Sequence, residues 1–212
     1  MTVNENMIDE LRARVKERLS ERRYEHTLGV ERAALKIASY CFSGDMNELR
    51  AAALLHDISK EYSIDDQLRL IREFDIPISD SDLVGESVLH SITAGAVIKR
   101  DFPQFATENI LSAVKNHTVG SPDMSIFDEI IFISDFIEDG RKYSSCIKVR
   151  ESLLSSLEAS RDREECIARL HDATIESLDL TIMSIIKDGR YLNERAVTTR
   201  NAFIGRKPTA LN

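Results

Sequence analysis

The sequence predicts an all-α fold, a single-domain helical bundle, and three observations support this class. Glycine (8) and proline (4) are scarce in 212 residues, which disfavours the many tight turns of a β-protein. Apolar residues recur at helical spacing through most of the chain. A hydrophobic fraction of 42% is enough for one buried core at this length. No repeat or linker divides the chain, so we expect one domain over residues 1–212, with a core of about 22–140 and C-terminal helices over about 146–206.

The predicted helices share a polar cap or a charged first turn, followed by apolar residues three and four positions apart. They cover residues 7–19, 20–41, 45–57, 63–74, 86–98, 107–117, 125–138 and 162–188, and one or two more complete the C-terminal part. Pro77 and the SDSD stretch of residues 79–82 interrupt this pattern and predict a loop. Residues 138–142 predict a charged turn.

Charge and composition exclude several classes of protein. The net charge of −8 opposes nucleic-acid binding through a broad basic face, so a phosphate-bearing substrate needs a local positive site. The three cysteines are scattered without a metal-binding spacing and are typical of reduced cytosolic thiols. The N-terminus carries no apolar signal segment, and no apolar run approaches the length of a membrane span. We expect a cytoplasmic protein with no membrane partner.

Five stretches of the sequence carry residues of the types that bind metals in proteins. His56–Asp57 ends a buried alanine-rich helix, and burial of these groups is costly unless a cation or another partner compensates for it. Asp135 is embedded in an apolar helix and also needs a partner. The full set lies on separate predicted helices and consists of His26, His56, Asp57, His90, His117 and Asp135.

Four imidazoles and two carboxylates suit a pair of divalent metals such as iron, manganese, cobalt, nickel or zinc. Adjacent ligands at His56–Asp57 would let the carboxylate bridge two ions. Spacing alone leaves a second interpretation open, in which the histidines are packed in the core and never meet. A second dipeptide, His171–Asp172, has no partner histidines nearby in the sequence, and we expect it at a solvated helix position.

The order His…His-Asp…His…His…Asp resembles the HD-domain superfamily of metal-dependent phosphohydrolases. Several blocks resemble one subfamily, the YqeK-type symmetrical diadenosine tetraphosphate hydrolases. The blocks are LLHDISK (54–60), LHSITAG (89–95), NHTVGSPDMS (116–125), IIFISDFIEDGR (130–141) and YLNERAVTTRN (191–201). The resemblance covers most of residues 22–203. The chain departs from that family's usual residues at Ile58–Ser59, Val119 and Asp139, none of which is a ligand position.

The resemblance implies the fold of an HD-type bundle with a dinuclear metal site in its core. It implies one metal on His26, His56, Asp57 and Asp135, and a second on His90, His117 and the bridging Asp57. Iron is the first candidate for both metals. A metal-bound hydroxide would attack phosphorus and split diadenosine tetraphosphate symmetrically into two ADP. The residues expected to act in catalysis are Asp57, Lys60 and Arg141, and those expected to bind the substrate are Lys60, Thr118, Gly120 and Arg141.

Two other functions stay open at this point. One is a general nucleotide or phosphomonoester phosphohydrolase of the same superfamily, and the other is a metal-bearing nucleotide sensor with little turnover. The partner in each case is a dinucleoside polyphosphate or a nucleoside di- or triphosphate. Arg141 is as readily interpreted as a surface cation as a phosphate ligand. The sequence also leaves a homodimer open.

Overall fold

The computed structural model of the protein describes residues 3–206, and within that range the regular secondary structure is helical. The predicted all-α fold class is confirmed. The α-helices span Glu5–Lys16 (α1), Glu21–Cys41 (α2), Met46–Leu55 (α3), Ile64–Glu73 (α4), Asp80–Val84 (α5), Leu89–Asp101 (α6), Glu108–Asn116 (α7), Ile126–Ile137 (α8), Ser144–Ala159 (α9), Arg163–Lys187 (α10) and Glu194–Arg206 (α11). Short 3-10 turns at Glu86–Val88 and Pro103–Phe105 precede α6 and α7.

Polar caps start the helices where the sequence predicts them. A side-chain oxygen before the helix accepts a backbone N–H of the first turn at Ser20, Asp45, Ser63, Thr107 and Ser125. At Ser125 the bond is reciprocal, because the carboxylate of Asp128 accepts the backbone N–H of Ser125. Each cap contributes about 1 kcal/mol to the stability of its helix. These local signals are readable in the sequence, which is why the predicted starts agree with the structure.

Helix α3 lies among α1, α2, α7 and α8 and organises the core. Its residues from Ala51 to Leu55 have no exposed surface. The three alanines let the neighbouring helices approach closely, and the two leucines fill the remaining space at the density typical of protein interiors. This packing fixes the position of the C-terminal end of α3. The dipeptide His56–Asp57 comes directly after that end and is therefore held in place.

The prediction of a loop at residues 79–82 is wrong in part, because Asp80–Val84 forms the short helix α5. Ser79 and Asp82 cap it reciprocally. The same Asp82 carboxylate accepts hydrogen bonds from Asn193 Nδ2 at 3.0 Å and from the Arg195 guanidinium at 2.8 Å. These partners lie more than 110 positions away in the sequence. Helix α5 is therefore stabilised by tertiary contacts, which the local sequence pattern does not predict.

Up to residue 206, three helices follow the charged turn of residues 138–142. Helix α10 spans Arg163–Lys187, in agreement with the predicted stretch of 162–188, and packs against α8, α9 and α11. The division into a core of about 22–140 and a C-terminal part stays a prediction. In the part of the chain that the structure describes, no helix is both long enough and apolar enough to cross a membrane.

Candidate metal centre

Asp57 lies at the centre of the predicted ligand set. It follows His56 at the C-terminal end of α3, and both side chains are almost fully buried. Each carboxylate oxygen of Asp57 faces a different pair of imidazoles. Oδ1 lies 3.3 Å from His90 Nε2 and 3.5 Å from His117 Nε2. Oδ2 lies 3.5 Å from His56 Nε2 and 3.7 Å from His26 Nε2.

The other ligand candidates come from separate helices, as the sequence predicts. His26 lies in the second turn of α2, His90 in the first turn of α6, and His117 directly after α7. Asp135 lies near the end of α8, where its Oδ1 is 3.1 Å from His26 Nε2. The structure therefore brings all six predicted residues together, and their donor atoms form groups of three within 4.8 Å of one another.

In His56 and His117 the outward nitrogen contacts a backbone carbonyl, which fixes the protonation of the inward nitrogen. His56 Nδ1 contacts the backbone oxygen of Ala53 at 2.7 Å, and His117 Nδ1 contacts that of Val114 at 2.6 Å. A carbonyl oxygen can only accept, so each Nδ1 carries the proton and each Nε2 points a lone pair inward. This is the usual arrangement of metal-binding histidines.

The donor atoms fit a pair of divalent cations. His56 Nε2 is buried and has no hydrogen-bond partner among the described residues. His90 Nε2 and His117 Nε2 lie 3.0 Å apart, and both face the carboxylate of Asp57. Lone pairs and carboxylate oxygens that converge in a largely buried site repel one another unless positive charge lies between them. Nitrogen and oxygen donors of this kind suit iron, manganese, cobalt, nickel or zinc.

The carboxylates of the centre remain ionised. Burial opposes ionisation of Asp57, but the neighbouring His56 and His117 outweigh it and hold the pKa of Asp57 well below its usual range. The pKa of Asp135 is lowered in the same way, chiefly by His26 and Arg141 against the effect of burial. Burial would lower the pKa of His26, yet the carboxylates of Asp135 and Glu138 raise it to about 9. The site thus attracts positive charge.

Two residues of the centre were missed in the sequence. Glu138 Oε1 lies 3.1 Å from His26 Nδ1, and a carboxylate in that place orients the ring so that Nε2 faces Asp57 and Asp135. Arg23 donates from its guanidinium to Asp57 Oδ2 at 2.6 Å. Arg23 precedes His26 by three positions, so helical spacing alone places both on one face of α2. Glu138 had no comparable signal, because a buried glutamate and a solvated one look alike in a charged turn.

Three of the four residues expected to bind substrate lie at the centre. Lys60 Nζ is 3.1 Å from His90 Nε2, and burial lowers the pKa of Lys60. Thr118 Oγ1 lies 3.2 Å from both His90 Nε2 and His117 Nε2. Arg141 is not a free surface cation, since its guanidinium donates to Asp135 Oδ1 at 2.6 Å.

A cavity of about 610 Å³, which we name the site cavity, opens beside these residues. Its wall includes Lys60, Thr118 and Arg141 next to the metal ligands. The remaining wall is partly apolar and is supplied in part by Phe132, Phe136, Leu178, Ile185 and Tyr191. A concave site with a few polar groups beside an apolar wall is typical of small-molecule binding.

The structure does not bring Gly120 to the site cavity. Its backbone N–H donates to the Asn116 carbonyl at 2.9 Å, as expected just after a helix end. Its φ of 71° lies in the left-handed region, and an added Cβ would lie 2.6 Å from Thr199 Cγ2. Gly120 is therefore explained by the turn and by close packing against α11.

The second dipeptide is not solvated as expected. His171 Nδ1 lies 2.8 Å from the carboxylate of Glu129, which has no exposed surface, and Thr174 Oγ1 donates to the same carboxylate at 2.7 Å. The His171 ring also packs edge-on against Phe203, with ring centroids 5.6 Å apart. The prediction is wrong for His171, which joins α8, α10 and α11 and lies outside the metal centre.

Comparisons with known proteins identify the family of the chain. The chain matches the family model described as the HD domain over residues 23–139. It is 32% identical over 192 residues to a protein of Halalkalibacterium halodurans, with 90% of this chain and 93% of the relative covered. A Bacillus subtilis protein is 28% identical, with 84% and 88% covered. Both relatives are named bis(5'-nucleosyl)-tetraphosphatase, symmetrical.

A solved structure is also similar. It is a crystal structure of a predicted HD superfamily hydrolase involved in NAD metabolism from Clostridium acetobutylicum. The TM-score is 0.81 at 27% identity, with 94% of this chain and 97% of that chain covered. The resemblance seen in the sequence blocks is confirmed, and the chain belongs to the HD domain family and is a hydrolase of that superfamily.

Proposed function

We propose that this chain is a two-metal hydrolase that cleaves diadenosine tetraphosphate symmetrically into two ADP. The observation that carries the proposal is the position of Asp57, each of whose oxygens faces a separate pair of histidine nitrogens. A carboxylate so placed can serve two ions at once. The names of the relatives, symmetrical bis(5'-nucleosyl)-tetraphosphatases, support the choice of substrate.

The six predicted ligands would be shared between two ions, with Asp57 contributing to both. His26, His56, Asp57 and Asp135 would hold one metal, and His90, His117 and Asp57 would hold the other, with iron as the first candidate. When bound, two divalent ions supply Lewis acidity, which lowers the pKa of water and neutralises charge on a phosphate. Four positive charges against two carboxylates leave a net positive site in an acidic chain, so a polyphosphate is captured locally.

The side chains around this set position the substrate. Lys60 and Arg141 point cationic groups at the cluster and would hold the phosphates, with Arg141 able to donate two parallel hydrogen bonds. The hydroxyl of Thr118 lies among the histidine nitrogens and can donate to a phosphate oxygen. Phe136 and Leu178 line the site cavity beside them and would pack against a nucleoside and exclude water.

The test is hydrolysis of diadenosine tetraphosphate by the metal-loaded protein, with the products separated by chromatography. We expect ADP alone and no orthophosphate, and we expect Asp57→Ala to lose both its metal and its activity. AMP plus ATP as the main products would overturn symmetrical cleavage. Release of orthophosphate from mononucleotides at a comparable rate would favour the general phosphohydrolase, and tight binding without turnover would favour the sensor.

A further inference from the structure

A second cavity, of about 620 Å³, adjoins the site cavity and shares Arg23, Arg141 and Tyr143 with it. His26 and Glu138 also belong to its wall. We name it the basic cleft, because five of its ten lining residues are cations. They are Arg22, Arg23, Arg32, Arg141 and Lys142.

The sequence builds this cleft from one helix face and one turn. Arg22, His26, Gly29 and Arg32 follow one another at intervals of three and four residues, so they share a face of α2. The turn after α8, residues 138–142, lies against that face. Gly29 permits the approach, because a Cβ there would lie 3.2 Å from the Glu138 carboxyl carbon and closer still to one of its oxygens.

Much of the positive charge in the cleft is not neutralised. Arg23 and Arg141 have carboxylate partners in the metal centre, but Arg22 and Arg32 have no ion-pair or hydrogen-bond partner among the described residues. The Lys142 ammonium donates to a backbone carbonyl, that of Asp139, at 2.7 Å. Besides Glu138, which contacts His26, the described residues of the wall include one acid, Glu25. The cleft is thus a positive surface on a chain whose net charge is −8.

The predicted metal ligands are divided between the walls of the two cavities. His90 and His117 line the site cavity, His26 lines the basic cleft, and Arg23 and Arg141 lie where the two meet. Their volumes are nearly equal, at about 610 and 620 Å³. Each falls in the range of about 300–1,000 Å³ that suits a small-molecule ligand.

We propose that the basic cleft holds the second nucleoside diphosphate of the substrate, while the site cavity holds the first. This inference rests on the proposed function and specifies how the substrate spans the metal centre. Symmetrical cleavage breaks the central P–O–P bridge, which has one ADP unit on each side, and two similar cavities can hold the two equal halves. Arg22, Arg32 and Lys142 would contact the distal phosphates, and the exposed ring of Tyr143 offers the second base a stacking surface.

The variant Arg22→Ala/Arg32→Ala tests the role of the cleft. Its matched control is Arg69→Ala/Arg161→Ala, which removes two exposed arginines outside both cavities. Because solvated charge contacts are individually weak, we expect KM for diadenosine tetraphosphate to rise about tenfold in the cleft variant, with kcat and metal content unchanged. The control should match the wild type. A KM equal to that of the control, or a fall in kcat alone, would overturn the proposal.

Calorimetric titration with ADP provides a readout that does not depend on turnover. The metal-loaded wild type should bind two ADP per chain, and the cleft variant one at the same concentrations. A single ADP in the wild type would refute a second nucleotide position even where cleavage is symmetrical, whereas asymmetrical products would refute the proposed function itself. The same two measurements on Lys142→Ala test the cleft at a position outside α2. This variant decides between the outcomes even if the double variant binds metal poorly.

Discussion

Glu138 determines the orientation of His26, and the substitution Glu138→Gln tests that dependence. The two carboxylate oxygens of Glu138 have separate tasks. Oε1 lies 3.1 Å from His26 Nδ1, and Oε2 accepts the Gly140 N–H at 2.5 Å. Glutamine has the same length but one oxygen, so its NH₂ group must face one of these two N–H donors. One of these two partly buried hydrogen bonds is lost whichever way the amide turns.

The expected magnitude follows from what that bond does. Removing the outer partner of a metal-binding histidine lowers metal affinity by about 10–100-fold, or ~1.4–2.7 kcal/mol. Loss of a partly buried hydrogen bond lowers the free energy of unfolding by ~0.5–1.5 kcal/mol. Glu138→Gln should therefore bind metal more weakly and also be less stable. Metal affinity is the specific readout, since a purely structural residue would change stability alone.

Competition with a chromogenic chelator at fixed pH gives the metal affinity, and urea denaturation gives the stability. Asp139→Asn is the matched control, because it removes the same charge from the same turn at a side chain that is 75% exposed. We expect the control to bind metal as the wild type does. Wild-type metal affinity in Glu138→Gln, with or without a loss of stability, would refute the role assigned to this carboxylate.

Three further substitutions test other parts of the structure. Gly29→Ala places a methyl group against the Glu138 side chain. We expect the free energy of unfolding, measured by urea denaturation, to fall by ~1–3 kcal/mol, and metal binding to weaken. Unchanged values would mean that the turn moves freely away from α2. His171→Ala leaves the buried carboxylate of Glu129 with a hydroxyl donor alone, so ~2–4 kcal/mol of stability should be lost while elemental analysis still finds the metals. Loss of metal in that variant would contradict the separation of the two sites. Arg141→Ala should lower kcat/KM while both metals are retained, and the loss should correspond to ~1.5–3 kcal/mol of transition-state stabilisation. Wild-type kinetics in this variant would exclude Arg141 as a phosphate ligand.

Helix positions were predictable because their signals are local. Ser20, Ser63, Thr107 and Ser125 each precede a stretch with helical spacing, and each accepts a backbone N–H of the first helical turn in the structure. The short helix α5 was missed because five residues are too few to show a period. Its stability depends on contacts with Asn193 and Arg195, which are distant in sequence.

The six metal-ligand candidates were predictable from residue type and order, but their supporting partners were not. Histidines and buried aspartates are rare enough in this chain to stand out, and a known family order connects them. Glu138 and Arg23 belong to the commonest class of residue, charged side chains near a helix end, where the usual environment is solvent. His171 illustrates the same limit, because Glu129, its partner, lies on a helix 42 positions earlier in the chain.

Arg23 and Arg141 connect metal binding to substrate binding. Each donates to a carboxylate of the proposed ligand set, at 2.6 Å in both cases, and each also lines both cavities. A substitution at either one removes both a counter-charge from Asp57 or Asp135 and a cation from the substrate path, so the metal content of each variant must be measured alongside its kinetics. Arg22 and Arg32 contact neither carboxylate. Substitutions there change the charge of the basic cleft alone, which is why they can report on the second nucleotide without disturbing the metals.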